Sequence, residues 1–226
     1  MPLDAVLFDL DGTLLDHDGA AAEAVTAAFP DISPDVLVPR WVELTDVAVD
    51  RYLAGELTFA EQRRFRITAL AADLGLGAWD DARADAWIAA YVARYQAAWR
   101  PFPDAAPALV ALAGLRVGVV TNGDAGQQRA KVAALGLDLP YVLTSAEAGC
   151  AKPAARIFTT ACAALGLAPG RVAYVGDRLD VDARGSAAAG LRGVWLDRSG
   201  FGPDVSDVPR VTTLTDAVAL LTRPSG

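Results

Sequence analysis

Cysteine and histidine are almost missing from this chain: Cys150, Cys162 and His17 are all that its 226 residues hold. Two cysteines without C-x-x-C spacing and a single histidine exclude a structural zinc site, and a disulfide scaffold does not fit this length. An excess of basic charge is missing too. The 28 acids outnumber 20 Lys plus Arg, for a formal net charge of −8, so neither nucleic acid nor an anionic membrane is expected as a partner. Long apolar runs are also lacking. The most apolar stretch, "ALVALAGLRVGVV" (108–120), is too short to span a bilayer and contains Arg116. No basic segment precedes an apolar one near Asp4, so no signal peptide is expected, and a cytoplasmic location is.

Apolar residues make up 53% of the chain and charged ones 21%, ample for a core. Residues 5–10 read as a buried strand. From about residue 107, short β-rich runs alternate with helical ones. Strands are expected at Arg116–Thr121, 141–145, 171–177 and 193–197, and helices at 127–135, 154–165, 182–189 and 215–221. Gly136, Gly166 and Gly190 stop the first three helices. Such alternation implies an α/β fold with a doubly wound, Rossmann-like parallel sheet. Residues 17–99 differ: they lack a convincing strand and carry helical patterns at 18–28, 34–53, 58–74 and 80–98. "PFPD" (101–104) reads as a linker. The expected organisation is an α/β core from 1–16 and 100–226, with a helical module at 17–99 inserted after the first strand.

Ligands of open parallel sheets bind beyond the carboxyl ends of the strands. Asp9 and Asp11 stand there after the first strand, Thr121 and Asn122 after the second, Lys152 after the third and Asp177 after the fourth. Each has a bland reading alone: D-x-D at a strand end is common, T-N-G is a turn signal, and K-P precedes many helices. Together they supply an oxygen nucleophile, carboxylates for a divalent cation and donors for phosphoryl oxygens.

Four segments, "FDLDGTL" (8–14), "VVTNG" (119–123), "GCAKP" (149–153) and "YVGDRLDVDARGSAAAGLRGVWLDR" (174–198), give the chain its resemblance to the haloacid dehalogenase-like hydrolases, in the phosphatase branch with an inserted helical cap. "QQRAKVAALGL" (127–137) fits the same branch, and "GELTFAEQRR" (55–64) is the most family-like piece of the insertion. The resemblance implies Asp9 as nucleophile, forming an aspartyl-phosphate, and Asp11 as general acid, then base. It implies Mg²⁺ on the carboxylates of Asp9 and Asp177 and the backbone carbonyl of Asp11. Asp182 is implied as a further ligand or, in the preferred reading, a support behind the ligands. Thr121, with Asn122 and the backbone N–H groups that follow, would hold phosphoryl oxygens, and Lys152 would neutralise Asp9 and the phosphate. Pro153 would open the next helix at its first turn. In the dehalogenase branch the position of Asp11 is not an acid, so the acid here favours phosphate esters over carbon–halogen bonds.

The implied cap opens and closes over the site on hinges near 14–16 and 99–103, which suits a small phosphorylated substrate such as a nucleotide or sugar phosphate. Trp87, Tyr91, Tyr95 and Trp99, four apart, form either a stacking wall or, as favoured, the module's own core. Arg63, Arg64 and Arg66 read as a solvated rim rather than an anion site, and His17 as an exposed loop residue. Cys150 reads as an inert thiol rather than an oxidation-prone one. Rival readings are a phosphosugar mutase on the same core, a non-catalytic phosphate-binding relative and a phospho-signalling receiver module. A monomer and a homodimer are equally compatible with the sequence.

Overall fold

The computed structural model describes residues 2–223; residue 1 and residues 224–226, outer ends of the expected core segments, lie outside the described residues. Six parallel strands form one sheet in the order β3-β2-β1-β4-β5-β6. They are β1 (Ala5–Phe8), β2 (Arg116–Thr121), β3 (Tyr141–Thr144), β4 (Val172–Gly176), β5 (Arg192–Leu196) and β6 (Arg210–Val211). The two central strands, β1 and β4, are buried along their whole length. That is why they read as unbroken apolar runs rather than alternating ones. The expected doubly wound sheet is therefore present.

The chain runs outward from β1 to β2 and β3, then crosses back to lay β4, β5 and β6 on the other side of β1. This reversal makes the carboxyl end of β1 the switch point, where a crevice opens between diverging connections. Register sharpens the placement: Phe8 lies opposite both Val119 and Val175, and Thr121 opposite Thr144. Residues just past these positions share one edge. Beneath them, Leu7, Val120, Ile157, Phe158 and Tyr174 belong to one buried cluster.

The remaining core elements are α5 (Ala105–Ala111), α6 (Ala125–Leu135), α7 (Ser145–Ala148), α8 (Ala155–Ala164), α9 (Gly185–Ala188) and α10 (Leu214–Thr222). The Asp124 carboxylate caps α6 by accepting from the Gln127 N–H, and Gly136 ends it at φ +62°. Three local expectations are corrected. Residues 182–189 are not one helix: a π-turn, Leu179–Arg184, precedes the short α9, because the Asp182 carboxylate turns back to accept the Arg178 N–H. Ser145 leaves the strand to open α7 under a Thr144–Glu147 capping box. Pro153 precedes α8 and does not open it. The short α5 and β6 had no periodicity long enough to show in the sequence.

The chain divides into two compact units, Met1–Asp16 with Arg100–Gly226, and His17–Trp99. The second consists of α1 (His17–Ala28), α2 (Pro34–Leu53), α3 (Phe59–Asp73) and α4 (Asp81–Ala97). Its core gathers Leu37, Trp41, Ile67, Leu70, Tyr91 and Tyr95, with Trp87 and Trp99 packed against it, so the aromatic stripe is core. Trp87 and Tyr91 stack with centroids 5.2 Å apart, and Trp41 Nε1 donates to Tyr91 Oη at 3.1 Å. His17 is not an exposed loop residue. It opens α1, half-buried, with Nδ1 2.6 Å from Tyr95 Oη. Arg64 does lie on a rim, paired with Asp81 and Asp85, but Arg66 does not. Its buried guanidinium lies 5.1 Å over the Trp41 ring and donates a long 3.4 Å bond to Thr45. Burial pulls the Arg66 pKa below its usual range. Among the described residues, all four buried side-chain polar atoms without a partner belong to this unit: Gln62 Oε1, Arg66 Nε, Trp79 Nε1 and Trp99 Nε1.

Close approach of the π-turn to β5 demands a residue without a side chain. A Cβ on Gly193 would stand 2.1 Å from the Ala183 carbonyl oxygen and 2.8 Å from Ser186 Oγ. Gly193→Ala is expected to cost about 2–4 kcal/mol in urea unfolding, whereas Gly114→Ala, in open space, changes stability by less than about 1 kcal/mol.

Candidate active site

Asp9 leaves β1 with its N–H donating to the Val175 carbonyl at 2.9 Å, which fixes it between the ends of β1 and β4. Its carboxylate is buried and accepts from Lys152 Nζ at 2.6 Å. The same ammonium donates to Asp182 Oδ1 at 2.7 Å and Tyr174 Oη at 2.8 Å, which uses all its protons. Tyr174 passes its own proton to the Val120 carbonyl at 2.6 Å. Asn122 brackets the lysine from its backbone: Oδ1 accepts from the Lys152 N–H at 2.8 Å and Nδ2 donates to the Lys152 carbonyl at 3.0 Å. Both ends of that amide are thus committed to holding the lysine loop.

Asp182 is fully buried, with Oδ1 on Lys152 and Oδ2 accepting from the Arg178 N–H at 3.0 Å. Gly176 makes room for it, since a Cβ there would lie 2.4 Å from Asp182 Cγ. Asp177 accepts from Thr13 Oγ1 at 3.3 Å, and its carbonyl accepts from Trp195 Nε1 at 2.9 Å. Carboxylate oxygens of Asp9, Asp177 and Asp182 lie within 4.8 Å of one another. Lys152 pairs with two of these acids, Asp9 and Asp182, while Asp177 is bonded to Thr13 instead, so the three carboxylates together could hold a metal ion. All-oxygen donors of this kind fit a hard divalent ion.

The electrostatics agree. Burial pushes the Asp9 carboxyl up to about 6, with Asp182 and Asp11 adding to the rise and Lys152 opposing it. Burial, then Asp9 and Asp182, raise Asp177 well above the carboxylate range. Burial disfavours the charge on Lys152, but Asp182 and Asp9 outweigh it and raise its pKa.

Asp11 is half-buried and points to a different lysine. Lys131 Nζ donates to both its oxygens, at 2.8 and 2.7 Å, and Gln128 Nε2 donates to Oδ2 at 3.0 Å. The second amide proton of Gln128 goes to Thr121 Oγ1 at 2.7 Å. Neither Gln128 nor Lys131 was among the expected site residues. Both lie in the family-like segment 127–137, and their spacing of three on α6 puts them on one face. Cys150 lies two residues before Lys152, and its Sγ accepts from Arg156 Nε at 3.4 Å.

A family model described as haloacid dehalogenase-like hydrolase matches residues 3–190. The phosphoserine phosphatase of Thermus thermophilus is 44% identical over 87 residues, 38% of this chain and 35% of that protein. The glyceraldehyde 3-phosphate phosphatase of Methanothermobacter thermautotrophicus is 30% identical over 211 residues, 86% of each chain. In fold, the chain is similar to the HAD-hydrolase YfnB from Bacillus subtilis, solved bound to magnesium, with TM-score 0.81 and 21% identity over 99% of this chain and 100% of that one. Solved L-2-haloacid dehalogenases share the fold as well. Among the described residues, no helix is long and apolar enough to cross a membrane.

Removing the central cation exposes what it holds. Lys152→Met leaves Asp9 and Asp182 buried without their shared partner, and is expected to cost about 3–5 kcal/mol in urea unfolding with EDTA present. Wild-type stability in this variant would mean that the lysine does not neutralise the pair.

Proposed function

The chain belongs to the haloacid dehalogenase-like hydrolases, and from that membership we propose that it is a Mg²⁺-dependent phosphatase of small phosphorylated metabolites. The observation that carries this reading is the meeting of Asp9, Asp177 and Asp182, two of them paired with Lys152, with Asp11 held apart by Lys131. Phosphatases among the relatives, and an acid at the position of Asp11, support phosphate esters over carbon–halogen bonds as substrates.

The residues then divide the work. Asp9 attacks phosphorus, and the ester P–O bond breaks as the leaving oxygen takes a proton from Asp11. Water next attacks the phosphorus of the aspartyl-phosphate; Asp11 takes its proton, and the Asp9 carboxylate departs. Lys152 balances charge on Asp9 throughout, and Thr121 with backbone N–H groups, that of Asn122 included, holds phosphoryl oxygens. Asp9, Asp177 and the Asp11 carbonyl would hold Mg²⁺, with Asp182 behind them securing Lys152. When bound, the ion supplies positive charge beside the transferring phosphoryl oxygens. The 17–99 unit is the inserted cap in this reading, and cysteines that remain thiols suit the cytoplasm.

Phosphate release from a panel of sugar phosphates, nucleoside monophosphates and other phosphorylated metabolites is expected to need Mg²⁺, to stop with EDTA and to vanish in Asp9→Asn. Release that survives Asp9→Asn would overturn the reading. Mg²⁺ must displace the proton that Asp9 carries below about pH 6. The Asp177 carboxyl, also held well above the carboxylate range, must lose its proton as well, so Mg²⁺ affinity by calorimetry should weaken as pH falls from 7 to 5, by about tenfold or more per unit below about pH 6. A flat profile from pH 5 to 7 would place the ion elsewhere.

A further inference from the structure

Of the 20 Lys plus Arg residues, only Lys131 and Lys152 are lysines. Both are buried, and each holds one acid of the D-x-D pair. Elsewhere the chain uses arginine for its cations; lysine, a compact ammonium on a flexible stem, stands only at these two buried places. Lys152 has a place in the scheme above, and Lys131 has none.

We propose that Lys131 and Gln128 are positioning residues that aim the Asp11 carboxyl at the oxygen of the leaving group. Lys131 Nζ lies 2.8 and 2.7 Å from the two oxygens, so the carboxyl cannot rotate without losing a charge-assisted bond. Gln128 Nε2 bonds Asp11 Oδ2 with one proton and Thr121 Oγ1 with the other. One amide nitrogen therefore sets the separation between the proton-transferring group and the hydroxyl assigned to the phosphoryl group. Thr121 Oγ1, by accepting from Gln128, is left with its own proton to donate, and its present acceptor, the Asn122 carbonyl, is a distant 3.4 Å away. Lys131 and Gln128 stand three apart on α6, whose start is fixed by the Asp124 cap, so the helix carries both as one rigid unit. In the first half-reaction a proton that the Asp11 carboxyl has taken up from solvent passes to the leaving oxygen as the bond to phosphorus breaks, and Lys131 pairs with the carboxylate that remains without exchanging a proton itself.

This inference rests on the phosphatase reading, and its test separates the two. kcat/KM, which covers only the steps up to release of the alcohol, is measured on p-nitrophenyl phosphate, whose leaving group needs no proton, and on glycerol phosphate, whose alkoxide does. Lys131→Met is expected to lower kcat/KM for glycerol phosphate by about 10²-fold or more and for p-nitrophenyl phosphate by less than about tenfold. In an Asp11→Asn background the same substitution should have no further effect, because the group it aims is gone. Equal losses on both esters, or a full further loss in the Asp11→Asn background, would show a merely structural lysine and overturn the proposal. Lys131→Gln, which keeps a hydrogen-bond donor, repeats the comparison if Lys131→Met folds poorly. Wild-type protein that releases phosphate from neither ester nor any member of the metabolite panel with Mg²⁺ would overturn the phosphatase reading itself, and the positioning role with it.

Discussion

A single buried ammonium organises the functional edge of this molecule. Lys152 reaches across the carboxyl ends of three strands to tie Asp9 to Asp182 and Tyr174, and through Tyr174 to the Val120 carbonyl. Carboxylates this deep would repel one another and lose hydration if left alone. The fold therefore spends much of its local detail on the lysine: Asn122 clamps its backbone, Gly176 yields space for Asp182, and the π-turn swings that acid inward. One cation among three acids leaves a surplus of negative charge. That surplus is what a divalent ion and a phosphoryl transfer site require of a protein.

A second ammonium solves a related problem one strand-end step away. Asp9 and Asp11 are two residues apart, yet they contact different lysines from different elements. In the proposed phosphatase, giving each acid its own partner would let one bond to phosphorus while the other moves a proton. The helical insertion sits between these acids and the rest of the sheet in sequence, but the core closes without it. Asp16 N–H donates to the Arg100 carbonyl at 3.1 Å, and Phe102 N–H to the Leu14 carbonyl at 2.9 Å, so exit and return segments pair as neighbours. The unit 17–99 carries its own core, built on Trp41, Ile67, Leu70 and Tyr91.

Much of this was legible in the sequence, for identifiable reasons. Parallel strands buried on both faces show as short apolar runs, and glycine stops such as Gly136 at φ +62° mark where helices end. The four helices of the insertion fell within one or two residues of their observed limits, because their apolar periodicity is long. What escaped depends on distance in space. Nothing local says that Lys131 and Gln128 of α6 face Asp11, 120 and 117 residues away, rather than water. Nor did a triplet of arginines show that Arg64 meets acids at the rim while half-buried Arg66 lays its guanidinium over an indole. The π-turn was hidden because a side chain, Asp182, overrides the helical pattern of its own segment.

In the proposed reaction phosphorus passes through Asp9. Acid-quenching the enzyme during turnover of its best substrate, then reducing with borohydride, converts an acyl phosphate to an alcohol in place. Peptide mass mapping should then find homoserine at position 9 and unaltered aspartate at positions 11, 177 and 182. Intact aspartate at position 9 under demonstrable turnover would contradict the account, since phosphate would then leave its ester without ever residing on the residue that Lys152 holds.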